Sequence, residues 1–248
     1  MPQPYFQFKQ FNVHQHRCGM KVTTDACVFG AYVAYMIREH ARIFTQTPSI
    51  HIVDVGTGTG LLALMLAQQL PLPFQITALE IDARACEQAE QNFAASPWKH
   101  HLQAIHADVR TWCCTRPADL IICNPPFYHH QLSSSIKERA LAFHDHQLQL
   151  EDLLRFADQY LTVMGWLAVL LPSSRKQEFD HLAYQYGLRL IGGCQMYATT
   201  RVHTPHVVAG IYSRQRMQLN QWNCVYQDEE GHYMPLFRAW LRPYYLHI

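Results

Sequence analysis

The chain contains eight cysteines but no Cys-x-x-Cys pair, and no thiolate–imidazole spacing that matches a zinc site. Its sixteen histidines are scattered, and the adjacent pairs His100-His101 and His129-His130 cannot face the same way on one regular element. No metal is expected, and the cysteines read as free thiols, several of them buried. Long apolar runs are missing as well: nothing approaches the roughly eighteen residues of a membrane span, and no cationic leader precedes an apolar core. Neither export nor membrane insertion is expected, and the expected location is the cytoplasm. Charge of one sign is also lacking, since 20 Lys and Arg face 19 Asp and Glu for a net charge of +1. A strongly basic footprint for nucleic acid is therefore absent from the sum. The distribution is less even. No acid precedes Asp25, and none falls between Asp180 and Asp228, where Arg189, Arg201, Arg214 and Arg216 lie. Placed beside a common site, these two segments would form a basic rim. Repeats and low-complexity linkers are absent, and 248 residues at 49% hydrophobic content can bury one substantial core. The expectation is one domain over 1–248 with an N-terminal extension at about 1–35, a monomer or weak homodimer.

Strands and helices alternate through most of the chain. Ile50–Val55 is a short apolar strand, and Gly56-Thr57-Gly58-Thr59-Gly60 follows at once, before the helix-forming run Leu61–Ala67. A strand, a glycine-rich turn and a helix bring a nucleotide-like ligand against backbone amides at a helix start. The dinucleotide fingerprint is Gly-x-Gly-x-x-Gly, and the last glycine here comes one residue too early for it. That spacing argues against a nicotinamide oxidoreductase. Asp54, two residues before Gly56, suits a cationic ligand better than a pyrophosphate. S-adenosylmethionine, with its ammonium and sulfonium, is such a ligand, and Gly56, Gly58 and Gly60 would let the backbone approach it.

Two further acids follow at strand ends. Gln75–Glu80 reads as the next strand, and Glu80, about twenty residues past the glycines, can accept from both ribose hydroxyls. Asp82 suits the N-cap of the helix Ala83–Ala95. Asp108 follows the strand Leu102–His106; it can accept from an adenine amine, or it can cap the turn Val109–Trp112.

Asn124-Pro125-Pro126-Phe127 closes the apolar run Leu120–Cys123 and points to the acceptor atom. The lone pair of an exocyclic amine is delocalised into its ring, so the amine is a poor nucleophile. A side-chain amide oxygen and a backbone carbonyl can each accept one of its hydrogens, which holds the nitrogen and lets its lone pair localise. The prolines fix φ and carry no N–H, so their carbonyls stand rigidly in such a site, and Phe127 offers a face on which a base can stack. An ordinary strand-to-loop turn is the structural alternative for such a Pro-rich stretch.

Together, Asp54 to Gly60, Glu80, Asp108 and Asn124 to Phe127 resemble the S-adenosylmethionine-dependent methyltransferases of the seven-strand Rossmann-like fold. The Asn-Pro-Pro-aromatic signature is shared by adenine-N6, RNA guanine-N2 and protein glutamine-N5 enzymes. The N-terminus narrows the choice. Phe6-Gln7-Phe8-Lys9-Gln10-Phe11, then Met20-Lys21-Val22-Thr23-Thr24-Asp25, is similar to bacterial methyltransferases that modify the adenine 3′ of the anticodon in a valine tRNA. Some members carry Tyr where this chain has Phe127, and both rings stack. The resemblance implies an α/β Rossmann-like sheet, mostly parallel with a C-terminal antiparallel hairpin and helices on both faces. It also implies S-adenosylmethionine as cofactor and a tRNA anticodon loop as partner, with the target base splayed into the pocket. Thr24 and Asp25 precede the apolar stretch Ala26–Met36 and carry an N-cap signal. In the functional reading, Lys21, Thr24 and Asp25 close over the cofactor. In the second half a helix is expected over Leu150–Thr162 and a strand over Trp166–Leu171. A helix over Arg175–Tyr186 and strands at Leu188–Tyr197 and Val207–Ser213 follow, and the aromatic residues after Asn220 have no evident place.

Overall fold

The computed structural model describes residues 4–44, 48–71, 73–125 and 148–248. A small hairpin of β1 (Tyr5–Gln7) and β2 (Asn12–His14) leads to α1 (Thr24–Glu39). Next come β3 (Ile50–Val55), α2 (Leu61–Gln69), β4 (Phe74–Glu80), α3 (Ala83–Ala94), β5 (Leu102–His106) and β6 (Ala118–Cys123). The second half holds α4 (Leu150–Tyr160), β7 (Leu161–Pro172), α5 (Lys176–Gln185), β8 (Arg189–Thr199), β9 (Val207–Ser213), β10 (Gln221–Gln227) and α6 (Pro235–Leu241).

Eight strands form one sheet in the order β10-β8-β9-β7-β6-β3-β4-β5. Every neighbouring pair is parallel except those of β9, which runs antiparallel to both β7 and β8. The sheet therefore has one strand more than the seven expected. The extra strand is β10, which pairs parallel with β8 along Gln221–Gln227. It comes from the aromatic tail, whose exposed Gln221 and Asn223 hide a strand pattern. Strand order reverses at β3, which lies between β6 and β4. Such a reversal opens a crevice at the C-terminal strand ends, where ligands of open α/β sheets bind.

Strands covered on both faces must be apolar throughout, and β3 and β6 are buried along their whole length. Alternate side chains serve opposite faces. Ile50, Ile52, Leu120 and Ile122 pack with α1 and α2, while Val53, Val55, Ile121 and Cys123 pack with α4 and α5. The C-terminal tail completes the first face: Trp240 lies 5.4 Å from Tyr32 and 5.8 Å from Trp222 between ring centroids. Phe8 bridges to Tyr245, so the N-terminal segment and the tail meet.

Among the boundaries that differ from expectation, two have a local cause. α4 ends at Tyr160 and β7 begins at Leu161, because the β-branched pair Thr162-Val163 favours extended backbone. The N-cap of α1 is Thr23, whose Oγ1 accepts from the Ala26 amide at 3.2 Å. Thr24 and Asp25 are the first helical residues, since the cap must sit three positions before the amide it satisfies.

Candidate active site

The crevice is built around the turn after β3. Gly56, Gly58 and Gly60 have φ of 69°, 57° and 80°, a left-handed region that side chains rarely adopt. A Cβ on Gly56 or Gly58 would meet nothing within 4 Å, so both present bare backbone to open space. Gly60 differs: its Cβ would stand 2.5 Å from Phe93 Cε1. The structure thus gives Gly60 a packing reason, the close approach of α3 to the start of α2. Asp54 is fully buried, and its Oδ2 accepts from Thr57 Oγ1 at 2.6 Å. Its Oδ1 has no partner among the described residues. Burial pushes this carboxyl up to about 7, opposed by the Thr57 hydroxyl and the main chain at Ala63.

Glu80 ends β4 with both oxygens turned to backbone. Oε2 accepts from the Gly58 amide at 2.8 Å and Oε1 from the Asp82 amide at 3.0 Å. Each oxygen keeps lone-pair capacity for a further donor. Asp82 caps α3 through Ala85 N at 2.9 Å, as its position implied. Beside Glu80, a small pocket is lined by Gly56, Leu79, Ile81, Ala107, Asp108 and Leu148. Its walls are mostly apolar, with the Asp108–Arg110 pair at the edge, and suit a flat ring bearing an amine. The Asp108 carboxylate also binds Arg110, with Nη2 at 2.6 Å, and caps the Arg110 amide at 2.9 Å. It therefore fills the capping role as well as lining the pocket.

Asn124 follows β6, next to β3 in the sheet, and is half-buried. Its Nδ2 lies 3.9 Å from Met20 Sδ, and its Oδ1 has no partner among the described residues. Pro125 is buried. Pro126 and Phe127 lie outside the described residues.

The segment before α1 runs across these strand ends. Burial, then the nearby charge of Glu80, pushes the Cys18 thiol up to about 11. Met20 reaches Asn124. The Lys21 ammonium donates to the carbonyls of Gln15 and Cys18, bracing this turn. Asp25 Oδ1 accepts from Tyr226 Oη at 2.7 Å and stands 2.9 Å from His206 Nε2, tying the start of α1 to β9 and β10. Sequence reading missed Met20, Thr57 and Asn92. Asn92 Nδ2 donates to the carbonyls of Thr59 and His14, both at 2.8 Å, joining the glycine turn to β2. Met20 and Thr57 carried a signal, their places in the Met-Lys-Val segment and in the glycine turn, and Asn92 carried none.

The basic rim does not assemble as expected. Arg214 donates to Leu161 O and Asp158 at the start of β7, the end of the sheet opposite Asn124. Arg189 pairs in register with Ser213 at that same far end, just before Arg214 and Arg216. Arg201, on the β8–β9 connection, is at the Asn124 end, and it pairs with Glu229 at 3.1 Å. Among the described residues no helix is long and apolar enough to cross a membrane.

Left-handed glycines open to ligand, an acidic strand end and an Asn-Pro stop beside the strand-order reversal define an α/β methyltransferase of the Rossmann-like class. The profile of the methyltransferase small domain family matches residues 20–176. A tRNA1(Val) (adenine(37)-N6)-methyltransferase of Tolumonas auensis is 37% identical over 243 residues, covering 98% of this chain and 97% of that protein. One of Flavobacterium psychrophilum is 35% identical over 244 residues, covering 97% and 99%. The chain belongs to the methyltransferase small domain family and, within it, to the family of these tRNA1(Val) (adenine(37)-N6)-methyltransferases. Solved structures agree on the fold. A Listeria monocytogenes protein assigned to the class I S-adenosylmethionine-dependent methyltransferases superposes with a TM-score of 0.58 at 14% identity, covering 80% of this chain and 64% of that one. A methyltransferase of Streptomyces caelestis gives 0.54 at 11% identity, covering 78% and 96%. The cofactor of this class is S-adenosylmethionine, and the residues fit it: bare backbone at Gly56 and Gly58, the buried Asp54 carboxyl beneath them, whose Oδ1 is unpaired among the described residues, and Glu80 at the strand end.

Proposed function

We propose that this chain methylates N6 of adenine 37 in the anticodon loop of a valine tRNA. The observation that carries this reading is Asn124, an amide held at the end of β6 beside the glycine turn, its Oδ1 without a partner among the described residues. S-adenosylmethionine supplies an electrophilic methyl group on a sulfonium. Glu80 accepts from the ribose hydroxyls, Asp108 from the adenine amine, and Asp54 lies beneath the turn that receives the ammonium, whose positive charge favours its ionised form. Lys21 acts through the turn it braces, while Thr24 and Asp25 set the start of α1 beside it. Asn124 Oδ1 and the Pro125 carbonyl accept the two N6 hydrogens of the target base, which fixes the nitrogen for in-line attack. In this reading the ring of Phe127 offers the base a face to stack on, and Pro126 has no N–H to compete for it. No side chain has to activate the methyl group, so the protein contributes chiefly positioning and electrostatics.

The wide sequence match to the adenine-N6 relatives favours this acceptor over guanine N2 or a glutamine side chain. Nucleosides of valine tRNA from a deletion strain, analysed by mass spectrometry, should lack N6-methyladenosine. The intact chain should restore it and Asn124→Ala should not. Restoration by Asn124→Ala would overturn the reading.

A further inference from the structure

An asparagine amide can serve an amine acceptor in only one of its two flips. Oδ1 must face the substrate, because an Nδ2 in that place would oppose a donor with a donor. Nothing in the covalent structure of Asn124 selects that flip, and its exposed side leaves both open to water. The selection has to come from a neighbour. Among the described residues the neighbour is Met20, whose Sδ lies 3.9 Å from Asn124 Nδ2. A thioether accepts weakly and has no proton to donate, so it favours the NH2 group and leaves Oδ1 pointing away.

The position of Met20 is itself prepared. Lys21 Nζ holds the carbonyls of Gln15 and Cys18. The Val22 amide donates to Gln15 Oε1 at 2.8 Å, and Thr23 caps α1 directly afterwards. The turn is thus pinned on both sides of Met20, while its side chain remains 44% exposed at the crevice. An exposed apolar side chain in a braced turn, aimed at the amide of the acceptor loop, has no core to fill. Burial does not explain it.

We propose that Met20 is a positioning residue for methyl transfer, which sets the Asn124 amide so that its oxygen meets the incoming amine. The proposal rests on Asn124 acting as the acceptor for N6. Met20→Leu keeps the bulk and removes the acceptor. It should lower kcat about three- to tenfold, the effect of one modest hydrogen bond. S-adenosylmethionine affinity, KM for tRNA and the melting temperature should stay near wild type. The decisive comparison uses Asn124→Asp, whose two oxygens are equivalent and need no choice of flip. In that background Met20→Leu should have no further effect on the remaining turnover. Wild-type kcat in Met20→Leu overturns the proposal. So does an equal fall in the Asn124→Asp background, which would mark Met20 as a packing residue. Near-normal turnover in Asn124→Ala would instead defeat the functional reading, a separate result.

Discussion

Glu80→Ala offers the sharpest separation of cofactor binding from fold. In the wild type one carboxylate oxygen holds the Gly58 amide at 2.8 Å and the other the Asp82 amide at 3.0 Å. Removing the carboxylate takes away the proposed ribose contacts, worth about 1.5–3 kcal/mol for hydrogen bonds to a charged group. That corresponds to roughly a ten- to hundredfold loss in affinity. It also leaves two partly buried amides without an acceptor, costing about 1–3 kcal/mol of stability. Alanine at position 82 serves as the control, because Asp82 caps α3 through Ala85 N. Loss of that cap costs about 1 kcal/mol of stability and should leave affinity intact. Titration calorimetry with S-adenosylmethionine and S-adenosylhomocysteine, paired with thermal melts, reads both quantities. Wild-type affinity in Glu80→Ala would refute the ribose assignment. An equal affinity loss in Asp82→Ala would show that softening of the turn, and no direct contact, is responsible.

Asn124→Ala should leave S-adenosylmethionine affinity within a few fold while turnover on tRNA largely disappears, measured by calorimetry and methyl incorporation. Gly60→Ala should destabilise the fold by about 2–4 kcal/mol, from left-handed backbone and contact with Phe93; an unchanged melting temperature contradicts that packing role. Asp54 has its folded carboxyl raised from 3.8 to about 7, so the stability it contributes is complete below pH 4 and is lost as pH rises through 7. Asp54→Asn should therefore gain on the wild type in melting temperature between about pH 5 and pH 8, and a pH-independent difference would show that the buried carboxyl titrates normally. Arg214→Ala should cost about 1–3 kcal/mol of stability through its lost contacts to Leu161 and Asp158, with tRNA affinity unchanged in a binding assay.

The parts of the site that lie close together in the chain were legible in it. β3, the glycine turn and α2 follow one another without interruption, so an apolar run, three glycines and a helix-forming stretch were enough to place them. Glu80 and Asp82 separated cleanly because only a residue three positions before Ala85 can cap α3. What stayed hidden depends on partners far away in sequence. Gly60 looked like its two neighbours, and only the ring of Phe93 distinguishes it. Asp25 is claimed by His206 and Tyr226, which no local pattern could have shown. The arginines of the acid-free stretch seemed to form one surface, yet β9 runs antiparallel and carries Arg214 to the far end of the sheet. β10 escaped notice because only Cys224 and Tyr226 are well buried in it, too few for an alternating signal.

Methyl transfer has one acceptor atom. Purified protein incubated with isotopically labelled S-adenosylmethionine and a valine tRNA transcript, followed by nucleoside mass spectrometry, identifies that atom directly. Label should appear in N6-methyladenosine and be lost when adenine 37 is replaced by guanine. Label in N2-methylguanosine, label that survives the replacement, or transfer to a protein glutamine side chain instead would contradict an N6 acceptor.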